Sequence, residues 1–251
     1  RGIGVAGLNG MLVCPSEELF FLTGFTPMMC ERFQGLFVLP SGEMFYVCNL
    51  LYKGEVDHAF QGKTKIYTWL DGESMTATVG SVFEEYGLTG GKIGVNSSAQ
   101  AFNVLDIMAD CGVTFINGLA VLEEARIVKT PDEIESLRKA AQIADQAFEK
   151  VVTFIKPGMT EADVLAFLYK EMKNSGGTNT WGIAASGPNS SFPHYLGTER
   201  VIQEKDLMIL DFGCCYNGLY SDMSRTVFIG DISDEERKIY DIVRRANEAG
   251  E

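Results

Sequence analysis

The chain has 251 residues, of which 46% are hydrophobic and 22% charged, and its formal net charge is −13 at pH 7. This composition is typical of a globular protein, and the length fits one large domain or two ordinary ones. The negative charge would repel the phosphates of nucleic acids and of anionic membrane surfaces, so we expect neither as a partner.

The first half of the chain alternates strand-like and helix-like segments. Residues 2–7 match a GxGxxG pattern, but no strand precedes them and no acidic residue follows at the required distance, which argues against a dinucleotide site. A strand over Gly10–Cys14 is followed by a short loop with aromatic residues, SEELFFLTGF, and then by two strands joined near Gly42. Helices are predicted over Glu73–Tyr86 and Ala99–Ala109, with a strand, KIGVN, between them. This alternation predicts an α/β domain.

The second half begins with strong helix signals. Thr130-Pro131-Asp132-Glu133 combines a capping box with proline at the first helical position and predicts a helix that ends at Lys156-Pro157-Gly158. Thr160-Glu161-Ala162-Asp163 predicts the start of another helix. These signals place a boundary near Leu122–Thr130, and we expect two domains, residues 1–125 and 126–251.

Several residues point to structure rather than chemistry. His58 and Trp69 stand alone in the first half, and we interpret both as structural. The six cysteines include no CxxC pair, which predicts buried free thiols in a reducing cytoplasm.

The stretch from Pro193 to Ile229 carries the chemistry. An apolar run that holds Asp211 is separated by Asn217-Gly218 from a second β-rich run that holds Asp222. An Asn-Gly step between two such runs predicts a hairpin, because both central residues of a type I′ turn need positive φ. A two-residue turn would place Asp222 opposite Gly213 and Asp211 opposite Ser224. The two carboxylates would then share one face, with Cβ atoms roughly 7 Å apart.

Two ionised carboxylates at this spacing on an apolar ribbon repel each other unless a cation lies between them. The pattern therefore predicts a site for a hard or borderline metal ion, or for a pair of ions. A structural alternative is that Asp222 pairs with Arg225 and Asp211 accepts backbone hydrogen bonds at a strand end. The preceding loop favours the site, because it is rich in turn residues and ends in His194, one of only two histidines in the chain.

Three segments, SGPNSSFPHY, LDFG and SDMSRT, together resemble the pita-bread metallopeptidases, which comprise aminopeptidase P, prolidase and the related creatinase. The resemblance continues back through KTPDEIESLRKAAQIADQAFEKVVTFIKPGMTEADV and, more faintly, through the first half. It implies an α/β N-terminal creatinase-like domain followed by the first half of an α+β pita-bread domain, and it makes residues 2–7 the end of a helix. It also implies that Asp211 and Asp222 are metal ligands, and that His194 contacts the substrate and moves protons without binding the metal.

The implied activity is that of a metal-dependent exopeptidase that cleaves Xaa-Pro bonds in proline-containing peptides, as a cytoplasmic homodimer. Two divalent ions, manganese, cobalt or zinc, are expected in the full-length enzyme. The family's remaining ligands, a His and two Glu, follow its second Asp, whereas no His follows Asp222 here. We therefore expect the chain to be C-terminally incomplete, with the metals absent or weakly bound and with no activity by itself.

Two other functions stay open at this point. A creatinase-like C–N hydrolase would work without metal, although creatinase lacks the carboxylate ligands that Asp211 and Asp222 would provide. A non-catalytic binding protein on the same fold would follow if the complete protein lacks the His-Glu-Glu set.

Overall fold

The computed structural model describes residues 2–250, which divide into two compact units between Lys129 and Thr130. The division lies inside the range Leu122–Thr130 that the helix signals indicated, and slightly after the expected boundary at residue 125. None of the helices in the described part of the chain is long and apolar enough to cross a membrane.

The first unit is built on a six-stranded sheet with the order β4-β3-β2-β1-β5-β6. Its strands are β1 (Gly10–Val13), β2 (Gly35–Val38), β3 (Met44–Asn49), β4 (Lys65–Trp69), β5 (Lys92–Val95) and β6 (Thr114–Asn117). Its helices are α1 (Gly2–Val5), α2 (Glu17–Thr23), α3 (Lys53–Phe60), α4 (Met75–Glu85), α5 (Ala101–Cys111) and α6 (Leu119–Arg126). The pairs β1–β2 and β2–β3 are antiparallel, and the others are parallel.

Both faces of this sheet are buried, because successive residues of a strand point to opposite faces and both sets are apolar. One core cluster includes Leu12, Phe37, Phe45 and Val47 from the first three strands. The other takes Met11, Val13, Leu36, Tyr46 and Cys48. The first unit therefore has a core on each side of its sheet.

The segment SEELFFLTGF, predicted to be a loop, is helix α2, so that prediction is wrong. Ser16 caps the helix by accepting a hydrogen bond from the backbone amide of Leu19 at 3.2 Å. Gly24 ends it in the left-handed conformation, with φ 71°. A helix this short shows no clear apolar period, so only its caps could have indicated it. Helix α3 and strand β4 also lay outside the sequence predictions, whereas α1 confirms a helix before β1.

The second unit packs helices against a four-stranded antiparallel sheet with the order β10-β8-β7, in which β9 pairs with β8. Its strands are β7 (Thr178–Ser186), β8 (Leu207–Tyr216), β9 (Leu219–Tyr220) and β10 (Met223–Phe228). Its helices are α7 (Pro131–Phe154), α8 (Glu161–Asn174) and α9 (Asp234–Gly250). Strand β7 was not predicted, because its sequence, TNTWGIAAS, does not alternate clearly between polar and apolar residues.

The core of this unit lies between the sheet and helices α7 and α8. The capping box predicted for α7 is present, and the predicted start of α8 at Thr160 also has one. Helix α7 buries mostly small residues, namely Ala140, Ile143, Ala144, Ala147 and Val151. Ile134, in the first turn of the helix, is 46% exposed. The contact is centred on the alanines because small side chains let a helix approach a sheet closely.

Candidate functional site

The turn between β8 and β9 consists of Asn217 and Gly218, whose φ angles are 49° and 81°. Beyond the turn, Asp211 pairs with Ser224, as the sequence predicted. The pairs on either side of Asp222 are Cys215 with Tyr220 and Phe212 with Met223. They keep the same register, which places Asp222 opposite Gly213. Because Leu210 and Phe212 point into the core, Asp211 and Asp222 share the opposite face of the ribbon.

Gly213 is required between the two carboxylates. A Cβ at this position would lie 1.9 Å from the carbonyl oxygen of Ser221 and 2.8 Å from Nε1 of Trp181. The ladder is irregular here, because Ser221 Oγ accepts the hydrogen bond of the Cys214 amide at 3.1 Å. The close approach at Gly213 therefore fixes the path of the segment that carries Asp222.

The two carboxylates have different surroundings. Asp211 is partly buried, and its Oδ1 accepts a hydrogen bond from Ser224 Oγ at 2.7 Å. Asp222 is exposed, and its carboxylate has no hydrogen bond or ion pair within residues 2–250. Arg225, its partner in the structural alternative, instead lies 3.5 Å from Asp145. The pairing of Asp222 with Arg225 is therefore wrong, and Asp222 stays available to solvent or to a cation.

The carboxylates of Asp211 and Asp222 are suitable ligands for a divalent cation, but they are only two. Carboxylate oxygens suit hard and borderline divalent cations. His194 is exposed in the segment that follows β7. Across residues 2–250, no group of three or more His, Cys, Asp and Glu side chains is placed to hold a metal ion. The structure thus brings Asp211 and Asp222 to one face without gathering His194 into such a group.

Sequence reasoning did not single out Glu161, the first residue of α8. Its side chain is fully buried, with 0% exposure. Glu161 Oε1 accepts hydrogen bonds from the backbone amide of Ser186 at 2.6 Å and from Ser186 Oγ at 2.8 Å. Asn189 Nδ2 donates to both carboxylate oxygens, at 3.1 and 3.2 Å. These partners lie 25 and 28 residues further along the chain, so the local sequence shows only a helix start.

An ion pair between Arg200 and Asp206 continues this network. Arg200 Nη1 donates to Ser186 Oγ at 2.6 Å, and the guanidinium also binds both oxygens of Asp206. Burial raises the pKa of Asp206, but the hydrogen bonds from Arg200 and from the Gln203 amide outweigh burial and leave the pKa below its usual value. The same pair raises the pKa of Arg200.

The cysteines do not form a reactive site. All six are free, and five of them are buried, with Cys30 partly buried. Burial raises the pKa of Cys14 and of Cys48 to about 12, so neither is a thiolate at neutral pH. Trp69 is structural, since it packs against a core cluster of the first unit and donates to the Phe33 carbonyl at 3.4 Å.

Models of known families match both units. Residues 3–128 match the creatinase/prolidase N-terminal domain. Residues 135–251 match metallopeptidase family M24.

Similar proteins extend over nearly the whole chain. The uncharacterized peptidase YqhT of Bacillus subtilis (strain 168) is 30% identical over 253 residues, covering 98% of this chain and 68% of the relative. The Xaa-Pro dipeptidase of Pyrococcus furiosus is 37% identical over 128 residues, covering 50% of this chain and 37% of the relative. The crystal structure of dipeptidase PepE from Mycobacterium ulcerans is 29% identical with a TM-score of 0.91, covering 99% of this chain and 67% of that chain. This chain spans about two thirds of the length of the relatives that it matches over nearly its whole length.

Proposed function

Because the chain belongs to metallopeptidase family M24 and carries the creatinase/prolidase N-terminal domain, we propose that it is a metal-dependent exopeptidase that cleaves Xaa-Pro bonds. The hairpin register is the observation that carries this proposal, because it sets Asp211 opposite Ser224 and leaves Asp222 on the same face. Relatives named dipeptidase and Xaa-Pro dipeptidase support a peptide substrate. Aminopeptidase P and prolidase types remain two versions of the proposed activity.

Asp211 and Asp222 would hold one or two divalent cations, with manganese, cobalt and zinc as the candidates. A metal bound there supplies a Lewis acid that polarises the scissile carbonyl and lowers the pKa of a water molecule. Ser224 Oγ donates a hydrogen bond to Oδ1 of Asp211, and Oδ2, which has no hydrogen bond within residues 2–250, would be the oxygen that binds a cation. Two carboxylates alone are too few to offset the dehydration of such an ion, so further donors must complete its coordination.

His194 is the proposed substrate-orienting and proton-relaying residue. An imidazole can both accept and donate a proton near neutral pH, which suits transfer to a leaving amine. Its side chain is exposed and therefore accessible to a substrate. In the full-length protein, His194→Ala should lower turnover and leave the metal content unchanged, whereas loss of metal would identify His194 as a ligand.

Metal binding tests the carboxylate assignment directly. Equilibrium dialysis of the full-length protein with manganese, cobalt or zinc, followed by elemental analysis, should show less bound metal in Asp211→Asn and in Asp222→Asn than in the wild type. Asp145→Asn is the matched control, because Asp145 is an exposed carboxylate of the same unit and should not affect binding. If the two site variants bind as much metal as the control, the assignment is wrong.

Turnover assays separate the remaining functions. An Xaa-Pro dipeptide and a longer Xaa-Pro peptide distinguish dipeptidase from aminopeptidase specificity in the full-length protein. Activity that survives metal removal would favour the creatinase-like hydrolase, and metal binding without turnover of either peptide would favour a binding protein.

The 251 residues alone are predicted to bind metal weakly and to be inactive, and metal-dependent cleavage by them would contradict this. A homodimer and a cytoplasmic location stay predictions, which sedimentation and cell fractionation would check.

A further inference from the structure

The segment that carries His194 is anchored at both ends to the start of helix α8. At its beginning, Ser186 and Asn189 donate hydrogen bonds to the buried carboxylate of Glu161. At its end, the backbone amides of Glu161 and Ala162 donate to the carbonyls of Arg200 and Thr198 at 3.1 and 2.9 Å. One helix end therefore holds both ends of an otherwise irregular segment.

The beginning of the segment is also held sterically. Gly187 has φ +50°, and a Cβ there would lie 2.6 Å from both Arg200 Nη2 and Asp206 Oδ1. The Arg200–Asp206 ion pair thus covers the first residue after β7 and leaves no room for a side chain. Between these anchors, His194 itself has no hydrogen bond within residues 2–250, so its position depends on the path of the backbone.

We propose that Glu161 is a positioning residue, whose buried carboxylate fixes the path of the segment and thereby the location of the His194 imidazole. A buried charge carries a desolvation cost that only close hydrogen-bond donors offset, and here three different donor groups converge on it. An apolar residue at the same position would avoid that cost but would release Ser186 and Asn189 together. The importance of this positioning for catalysis rests on the proposed function of His194. The positioning itself rests only on the hydrogen bonds of Glu161.

Histidine-selective NMR measures the effect without any assay of activity. The chain has two histidines, and His58 lies exposed on α3 in the other unit, so His58→Ala assigns the two imidazole signals. Glu161→Gln keeps the shape and one acceptor oxygen, but it removes the carboxylate charge and replaces the other oxygen by an NH2 group that cannot accept from Asn189. In this variant the His194 signal should shift and broaden while the His58 signal stays unchanged. Exchange of the Ser186 amide should accelerate at least about tenfold, because a hydrogen bond to a charged acceptor is lost or weakened.

Glu171→Gln is the matched control, since Glu171 is another carboxylate of α8, is partly buried, and pairs with Lys150 at 2.6 Å rather than with the His194 segment. It should leave both histidine signals and the Ser186 amide unchanged. Asn189→Ala removes one donor from the partly buried beginning of the segment and serves as a second variant if Glu161→Gln does not fold. An unchanged His194 signal in either folded variant, with faster Ser186 exchange, would overturn the proposal and limit Glu161 to holding the strand end.

Kinetics in the full-length protein then separate this proposal from the proposed function. Glu161→Gln should lower kcat more than it raises KM, with unchanged metal content, and should change the pH profile as His194→Ala does. A shifted His194 signal in a protein without Xaa-Pro activity would leave the positioning intact and reject only the function. A loss of kcat in Glu161→Gln as large as in His194→Ala, with an unaltered pH profile and an unmoved His194 signal, would show that Glu161 has only a structural role.

Discussion

The two sheets differ in how many of their faces are buried. In the first unit, neighbouring residues such as Leu36 and Phe37 enter two separate core clusters, and both are 0% exposed. In the second unit, Phe212 is 0% exposed, whereas the adjacent Asp211 lies on a partly exposed face. A sheet covered on both faces contributes a stable framework, but polar chemistry needs a face that water and ligands can reach. The candidate site accordingly lies on the second sheet.

Alanine substitutions of adjacent residues give the largest effects and test this comparison directly. Leu36→Ala and Phe37→Ala should each destabilise the first unit by about 2–5 kcal/mol, because both remove buried side chains. In β8, Phe212→Ala should cost about 3–5 kcal/mol, whereas Asp211→Ala should cost at most about 1 kcal/mol.

Each unit holds one of the two tryptophans, Trp69 in the first and Trp181 in the second, so urea unfolding can be followed separately in Trp→Phe backgrounds. If Asp211→Ala costs as much as Phe212→Ala, both faces of β8 are core faces and the comparison fails. Equal shifts at both tryptophans for every variant would show instead that the two units unfold as one.

A glycine in each unit gives the next largest contrast. Gly213→Ala should destabilise the second unit by about 3 kcal/mol, since the new Cβ would lie 1.9 Å from a backbone oxygen. Gly54→Ala, in helix α3, meets no atom within 4 Å and should stabilise the first unit by about 0.5–1 kcal/mol. Thermal and urea unfolding check both values, and a neutral Gly213→Ala would mean that the β9–β10 segment moves without cost.

The Arg200–Asp206 pair gives a smaller and pH-dependent effect. Its side chains are 19% and 10% exposed, and Asp206→Asn should destabilise the second unit by about 1.5–3 kcal/mol at pH 7. Because the pKa of Asp206 is lowered in the folded state, its stabilising contribution is complete above the pKa of an ordinary aspartate and is lost as the pH falls through the folded value. The difference between wild type and variant should therefore shrink below about pH 4. A difference that stays constant down to pH 2 would contradict this assignment.

Removing a surface charge in the second unit should change the free energy of unfolding least. Arg225 and Asp145 form an ion pair at 3.5 Å with side chains 42% and 56% exposed. Asp145→Asn should change the free energy of unfolding by about 0.2–1 kcal/mol and by less in high salt. A larger effect in urea unfolding would indicate that this face is less exposed than the structure describes.

The sequence predicted features that depend on local chemistry. The Asn217-Gly218 turn and the pairing of Asp211 with Ser224 followed from turn geometry and the two-residue period of a strand. The capping box of α7 and the start of α8 followed from the four residues that begin at each N-cap. Strand β7 and helix α2 were missed because neither shows a clear apolar period. Glu161 could not be found, because its burial depends on donors that come together only in the folded unit.

The two-residue turn at Asn217-Gly218 also restricts how the length of the hairpin can change, because the side chains of a strand alternate between its two faces. Inserting or deleting one codon between Gly213 and Ser221 would exchange the faces of the returning strand, so that Asp222 would enter the core and Met223 would leave it. A two-codon change would keep the faces but move the carboxylate along the ribbon, away from Gly213. Homologous genes can therefore vary the turn residues freely among those that accept positive φ, but a change in hairpin length marks a protein that has lost this arrangement of carboxylates.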